Sequence, residues 1–282
     1  MDASEALRQI QKILDQVDST VSPPISAPVG STGVWRQIFG DDFSAGDLDL
    51  TKWRKGLFWA ANGNHHGPNT SELGWYHPSQ VRFVDNMLKL VAEAKQTSAE
   101  NKTWKWLTGL ITTAPDKYGV TVGDKGGWKP QPPTFEFLFG WAEARIKIPR
   151  GQGLWPAWWL LPSDMSWPPE IDILEVIGNR PDVAELHYHY GKDLNHPQFG
   201  GPRPMGVDLS ADFHIYAVDW QPDHIDWYID GKKVLGFTDR AQIYNKPMYL
   251  LLNLAVGGDW PKAPDATTKF PADMVVDWVR VW

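Results

Sequence analysis

Cysteine is absent from all 282 residues, which removes disulfides, Cys-ligated structural zinc and thiol catalysis together. Basic residues are outnumbered, 27 against 34 acidic, giving a net charge of −7 and a pI near 5.6. Phosphate binding needs a concentrated basic surface, so this balance argues against a nucleic-acid partner. No run of about 18 apolar residues occurs, so no segment reads as a membrane-spanning helix. Near Met1-Asp2 there is no apolar stretch of roughly 7–15 residues, and hence no recognisable signal peptide. Helical periodicity is nearly missing as well, being confined to the first 21 residues. What remains is a chain with 42% apolar and 22% charged residues, rich enough in apolar side chains to build a large core.

Tryptophan is the conspicuous excess, at 17 residues. Indole packs well in a core, but it also offers a flat apolar face with one N–H donor, which suits the C–H faces of pyranose rings. Composition does not separate these uses; position does.

Leu7, Ile10, Leu14, Val17 and Val21 fall at spacings of 3, 4, 3 and 4, an a/d seam with Glu5, Arg8, Lys12, Asp15 and Asp18 between them. This predicts a short N-terminal helix, either docked or frayed, or else an oligomerisation stub on an otherwise monomeric protein. Residues 22–33 read as a Pro/Ser/Gly linker. From 34 to 282 the pattern is one of short alternating runs broken by turn residues. Asp85-Asn86 and Asp230-Gly231 mark hairpins. Many strands at close spacing predict a single β-sandwich or barrel domain over 34–282.

The chemistry concentrates in Glu170-Ile-Asp-Ile-Leu-Glu175. In a strand, Glu170 and Asp172 share a face. Glu175 joins them only if one extra residue, a β-bulge around Ile173–Leu174, restores the phase. Three carboxyl groups on one surface cannot all ionise unpaired, so one is expected to be protonated or paired near neutrality. From such a cluster an acid of raised pKa and an ionised nucleophile can be made. Trp155 and Trp159 alternate onto one face just before it; His187 and His189 share a face with Glu185 just after it. Carboxylates flanked by indole and imidazole on an open groove read as a sugar site.

The order of Gly153-Leu-Trp-Pro-Ala-Trp-Trp-Leu-Leu-Pro, Glu170-Ile-Asp-Ile-Leu-Glu-Val-Ile-Gly, Leu252-Asn-Leu-Ala-Val-Gly-Gly-Asp-Trp-Pro and Val276-Asp-Trp-Val-Arg-Val-Trp resembles glycoside hydrolase family 16, in its laminarinase-like branch. Asn69-Thr-Ser-Glu-Leu-Gly-Trp-Tyr and Glu143-Ala-Arg-Ile-Lys-Ile-Pro extend the resemblance, which runs from about Phe39 to Trp282. It implies an all-β jelly-roll sandwich of two antiparallel sheets with an open concave cleft. It also implies an endo-acting, retaining reaction on β-1,3-glucan, with mixed β-1,3-1,4 chains as a further substrate. Glu170 would be the nucleophile, Glu175 the acid/base and Asp172 the carboxylate assisting the nucleophile. Trp155, Trp159 and Trp260 match substrate-binding tryptophans; His187 or His189 would approach the leaving sugar, with Asn69 and Trp128 as further contacts. No cofactor is implied for catalysis. A structural calcium is implied at a position matching Asp277, and an extracellular polysaccharide as partner. Leu110 stands where the branch often carries Arg, and Gly119–Pro133 looks like an inserted loop. An agarase-like galactan hydrolase and a non-catalytic glucan-binding lectin are the alternatives on this fold; binders usually lose the acids, and all three are present.

Overall fold

The computed structural model describes residues 27–60, 62–69, 71–122, 127–191 and 196–282. Two antiparallel sheets form a sandwich. The outer sheet runs from Lys232–Phe237 through Ile225–Ile229, His214–Trp220, Gly140–Lys147, Ala272–Val281 and Met87–Ala92 to Val81–Val84, with Phe39–Asp41 also paired to Ala272–Val281. The inner sheet has six strands: β1 (Leu110–Thr112), β2 (Leu154–Pro162), β3 (Glu170–Glu175), β4 (Val183–His189), β5 (Gln198–Pro204) and β6 (Met248–Val256), in the order β5-β4-β3-β2-β6-β1. The sandwich is the one the alternating runs predicted, and its all-β architecture is consistent with the jelly roll that the resemblance implied.

The helix does not belong to that architecture. The segment 1–21 expected to form it lies outside the described residues, and among the described residues the sole helical piece is a 3-10 turn at Pro78–Gln80. The fold is therefore corrected from sandwich-plus-helix to all-β. The last part of the expected linker is packed against the sandwich. Val29 N–H donates to Glu143 Oε2 at 2.9 Å on the outer face of the outer sheet. Gly30, at φ +86°, lies so close to Gly231 that a Cβ would come 2.2 Å from its carbonyl oxygen. Trp35 then meets Trp141 edge-on at 5.9 Å.

Period-two alternation explains why these segments are strands. In β2, Leu154, Trp158 and Leu160 point into the sandwich, whereas Ala157 and Trp159 join a separate cluster on the other face. In β6, Leu250, Leu252 and Leu254 face the core, with Tyr249 and Leu251 opposite. From the outer sheet come Ala142, Ala144, Tyr216, Val218, Trp220 and Trp227. Trp158, Trp220 and Trp227 are completely buried; truncating one such ring to alanine costs about 3–5 kcal/mol. Both hairpin signals fold as read: Asp85 and Asn86 have φ of 52° and 59°, and Asp230 and Gly231 have 50° and 72°, the left-handed pair that a two-residue turn needs.

Candidate active site

The carboxylate strand lies near the middle of the inner sheet, between β2 and β4. Its register shifts where the alternation required it. Trp158 faces Leu174 while Trp159 faces Asp172, so Ile173 is the extra residue against β2. Against β4, Asp172 pairs with His187 and Glu175 with Glu185, three steps on one strand for two on the other. Ile171, Ile173 and Leu174 all enter the core, and Glu170, Asp172 and Glu175 are left together on the cleft face. A bulge leaves backbone groups without ladder partners. Trp227, reaching through the core from the outer sheet, donates its indole N–H to the Asp172 carbonyl at 2.8 Å.

The three acids have different surroundings. Glu175 is 8% exposed; its Oε1 accepts the Trp155 N–H at 3.0 Å, and its Oε2 lies 3.0 Å from His187 Nδ1. Glu170 Oε2 accepts the Trp167 N–H at 2.8 Å, while Oε1 is 3.9 Å from His189 Nε2. Asp172 is the deepest at 2% exposed, with Oδ2 3.4 Å from His189 Nε2. Burial raises Asp172 well above the usual carboxylate range, and the charges of Glu170 and Glu175 add to this. Burial also raises Glu170, to about 7, with the Trp167 N–H pulling it back down. The two acids titrate as a pair, and burial together with its two charged neighbours makes Asp172 the more firmly protonated member. His189 is pushed down to about 4 by burial first, then by His187 and His196. Its Nδ1 is paired with His196 Nε2 at 2.9 Å, and Asp172 Oδ2 is left buried without a hydrogen-bond partner among the described residues.

A cleft of about 540 Å³ opens over these groups, lined among others by Phe58, Trp59, Asn69, Trp155, Trp159 and Trp167. Trp155 and Trp159 share its floor, as alternation predicted. Trp260, 38% exposed, stands edge-on to Trp155 at 5.3 Å and to His187 at 6.1 Å. His187 and His189 both face the acids. Trp128 stands in the strand Gly127–Gln131 of a hairpin with Asp116–Val122, its side chain outside the described set. Two further indoles pack elsewhere: Trp75 on Trp104 at 5.2 Å, and Trp106 near Phe270 at 6.4 Å. Leu110, where Arg was expected, is fully buried beside Trp159 and Tyr249.

Among the described residues, two trios could converge on a cation, Glu170/Asp172/His189 and Asp172/Glu175/His187; both are the acid cluster itself. Asp277 instead accepts from Arg145 Nη1 at 2.6 Å. A calcium ion ligated by this side chain would have to displace that guanidinium, so the side chains present here fit an ion pair better than a calcium site.

Sequence reasoning missed Trp167, Glu72 and Asn253. Each carried a signal: Trp167 precedes Glu170 by three residues, Glu72 is the single acid of the Asn69–Tyr76 stretch, and Asn253 is the single amide in an otherwise apolar and aromatic strand.

Residues 89–280 match Glycosyl hydrolases family 16. The chain is 29% identical to glucan endo-1,3-beta-glucosidase A1 of Niallia circulans over 96% of its own length and 40% of that protein. It is 33% identical to a glucan endo-1,3-beta-glucosidase of Cryptopygus antarcticus, covering 89% of this chain and 93% of the other. Superposed on the endo-beta-1,3-glucanase of Pyrococcus furiosus it gives a TM-score of 0.71 at 32% identity, over 88% and 94% of the two chains. The chain thus spans less than half of the Niallia protein but nearly all of the other two. A bulged strand carrying three carboxyls, an aromatic cleft above it and a match over most of the sandwich lead to one assignment: this chain belongs to glycosyl hydrolase family 16.

Proposed function

We propose that the protein is an endo-acting, retaining glycoside hydrolase that cleaves β-1,3-glucan, with mixed β-1,3-1,4 chains as a second substrate. The observation that carries this reading is the split between the two glutamates of one bulged strand. Glu170 is held by a donor and charged, with Asp172 protonated beside it. Glu175 sits against His187 with one oxygen committed to an indole N–H.

The reaction follows from those contacts. Trp167 occupies Oε2 of Glu170, which leaves Oε1 to attack the anomeric carbon. The glycosidic C–O bond breaks as Glu175 gives its proton to the leaving oxygen. An indole N–H only donates, so Oε1 of Glu175 is an acceptor and Oε2 is the oxygen left to pass the proton. As the Glu170 ester forms, its charge is neutralised, and Asp172 keeps its proton throughout. Glu175, now ionised, takes a proton from water; that water attacks the anomeric carbon and the ester C–O bond breaks, restoring Glu170. Two inversions give retention. Trp155, Trp159 and Trp260 supply apolar surface for pyranose faces. Because its substrate is a polymer, the enzyme acts outside the cell.

The test separates the two roles. Glu170→Gln is expected to abolish laminarin hydrolysis, by about 10⁴-fold or more as expected for a group the reaction cannot do without. Glu175→Ala is expected to lose hydrolysis of poor leaving groups but to regain turnover of an activated glycoside with azide, which needs no base. Full activity in Glu170→Gln, or no azide rescue in a folded Glu175→Ala, contradicts the assignment.

A further inference from the structure

We propose that Glu72 is a positioning residue: it terminates a one-way hydrogen-bond chain that holds Trp159 on the cleft floor, and so sets how firmly the sugar chain is held rather than how fast its bond breaks. This rests on the reading of the cleft as a glucan site.

The chain has three links. Trp159 Nε1 donates to Asn253 Oδ1 at 2.7 Å, Asn253 Nδ2 donates to Tyr76 Oη at 3.0 Å, and Tyr76 Oη donates to Glu72 Oε2 at 3.2 Å. Its direction is fixed by chemistry. Indole N–H cannot accept, so Asn253 must turn its oxygen toward Trp159 and its NH₂ toward Tyr76. The Tyr76 oxygen then accepts, and its own hydrogen must leave in the other direction. Only a pure acceptor closes such a chain without leaving a donor stranded, and a carboxylate is one. All four side chains are buried, so water does not substitute for a missing link.

Three further observations support a built arrangement. Glu72 Oε1 accepts the backbone N–H of Asn69 at 3.3 Å, tying the same carboxyl to another cleft residue. A Cβ on Gly67 would come 2.1 Å from Glu72 Oε2, so the glycine leaves the space the carboxyl occupies. His65 stacks on Tyr76 at 5.3 Å and 26°, fixing the ring that passes the bond on. Glu72, Trp159 and Asn253 all line the cleft. Burial lifts Glu72 to about 7, opposed by the Asn69 N–H and the Tyr76 hydroxyl, so those two bonds favour the acceptor form.

With a leucine at 72 the Tyr76 hydroxyl has no acceptor on that side. Satisfying it from Asn253 means flipping the amide, which sets an NH₂ against the Trp159 N–H. Glutamine, by contrast, still presents a carbonyl oxygen. The experiment compares wild type, Glu72→Gln, Glu72→Leu and Tyr76→Phe, the last removing one oxygen with little change of shape. Laminarin kinetics are read beside the ¹⁵N–¹H indole resonance of Trp159, identified by its loss in Trp159→Phe. We expect KM to rise about tenfold in Glu72→Leu and Tyr76→Phe, near the lower end for one stranded buried donor, with kcat within about threefold. The Trp159 resonance should move in both, whereas Glu72→Gln, whose carbonyl keeps the Tyr76 bond while its NH₂ turns toward the Asn69 N–H, should hold the Trp159 resonance in place and lose less in KM than Glu72→Leu. Equal losses in Glu72→Gln and Glu72→Leu overturn the proposal, as does a fall in kcat at unchanged KM, or no effect in either. If Glu72→Leu does not fold, Tyr76→Phe decides the question by the same two readings. Should wild type fail to act on any glucan, the function fails, while the indole resonance still tests the chain.

Discussion

Among single residues, the Trp167 N–H on Glu170 decides a pH profile. In the proposed role Glu170 must be ionised to attack, and burial has raised it from 4.5 to about 7. Activity is therefore lost as pH falls through about 7, well above the ordinary range of a glutamate. The Trp167 donor stabilises the charged form, so Trp167→Phe should push the acidic limb of kcat/KM upward. A shift of about half a pH unit corresponds to a roughly threefold loss at about pH 6, with little change on the plateau. A profile that stays in place, or moves to lower pH, contradicts the contact. Trp167 is 44% exposed, so the ring is replaceable without opening the core. The three acids, Trp155 and Trp159 could be read from the sequence because alternation is local. Trp167 had only its nearness to Glu170 as a signal, and its contact depends on how a Pro-rich turn brings the indole back onto the carboxylate.

Among the strands, β3 brings Glu175 into phase with the other two acids through its bulge. Deleting Ile173 restores a regular strand, and the resulting Glu-Ile-Asp-Leu-Glu run keeps all three acids on the cleft face, because residues two apart share a face. We expect hydrolysis to remain measurable while stability falls, because the core loses the Ile173 side chain; an activity assay and thermal melting measure the two. Trp227→Phe is the finer test. It keeps most of the ring volume but strands the Asp172 carbonyl, costing about 1–3 kcal/mol, and should lower kcat by loosening the strand that holds Glu170 and Asp172. Wild-type kcat in that variant would mean the bulge needs no such tie. The bulge itself is legible from six residues, because a glutamate out of phase is a local contradiction. The partner of its freed carbonyl is not legible: Trp227 lies 55 positions away and reads as plain core until the sheets are stacked. The contact made by the end of the linker is not legible for a similar reason. Pro, Ser and Gly between 22 and 33 mark an extended linker, and nothing local in them shows that Gly30 meets Gly231. Gly30→Ala should lower stability by about 1–3 kcal/mol, from a strained φ and a steric clash, and leave activity unchanged, since the end of the linker lies on the outer sheet away from the cleft. A thermal melt and a laminarin assay check both halves.

Across the molecule, the enzyme keeps several buried acids whose protons are bound more tightly in the folded state. Glu72 and Glu170 lie near 7, and Asp172, Glu143 and Glu185 are also raised, each mainly by burial. Groups raised on folding bind more protons in the native than in the unfolded chain between the two pKa values. Their stabilising effect is full below about 4.5 and is lost as pH rises through about 7. Thermal stability should therefore fall from about pH 5 to about pH 8. Glu72→Gln should flatten the slope by at most about 3 kcal/mol, the equivalent of its rise from 4.5 to about 7. A slope unchanged by that substitution would show that Glu72 is ionised throughout. The tryptophan excess resolves at this level too. Trp53, Trp141, Trp158, Trp220 and Trp227 are fully buried packing, whereas Trp155, Trp159, Trp167 and Trp260 surround the acids. A double displacement at Glu170 and Glu175 leaves its mark on the anomeric configuration of the first-formed product. Hydrolysis of laminarin followed by ¹H NMR within the first minutes should show the β-anomer before mutarotation; initial formation of the α-anomer would rule the double displacement out.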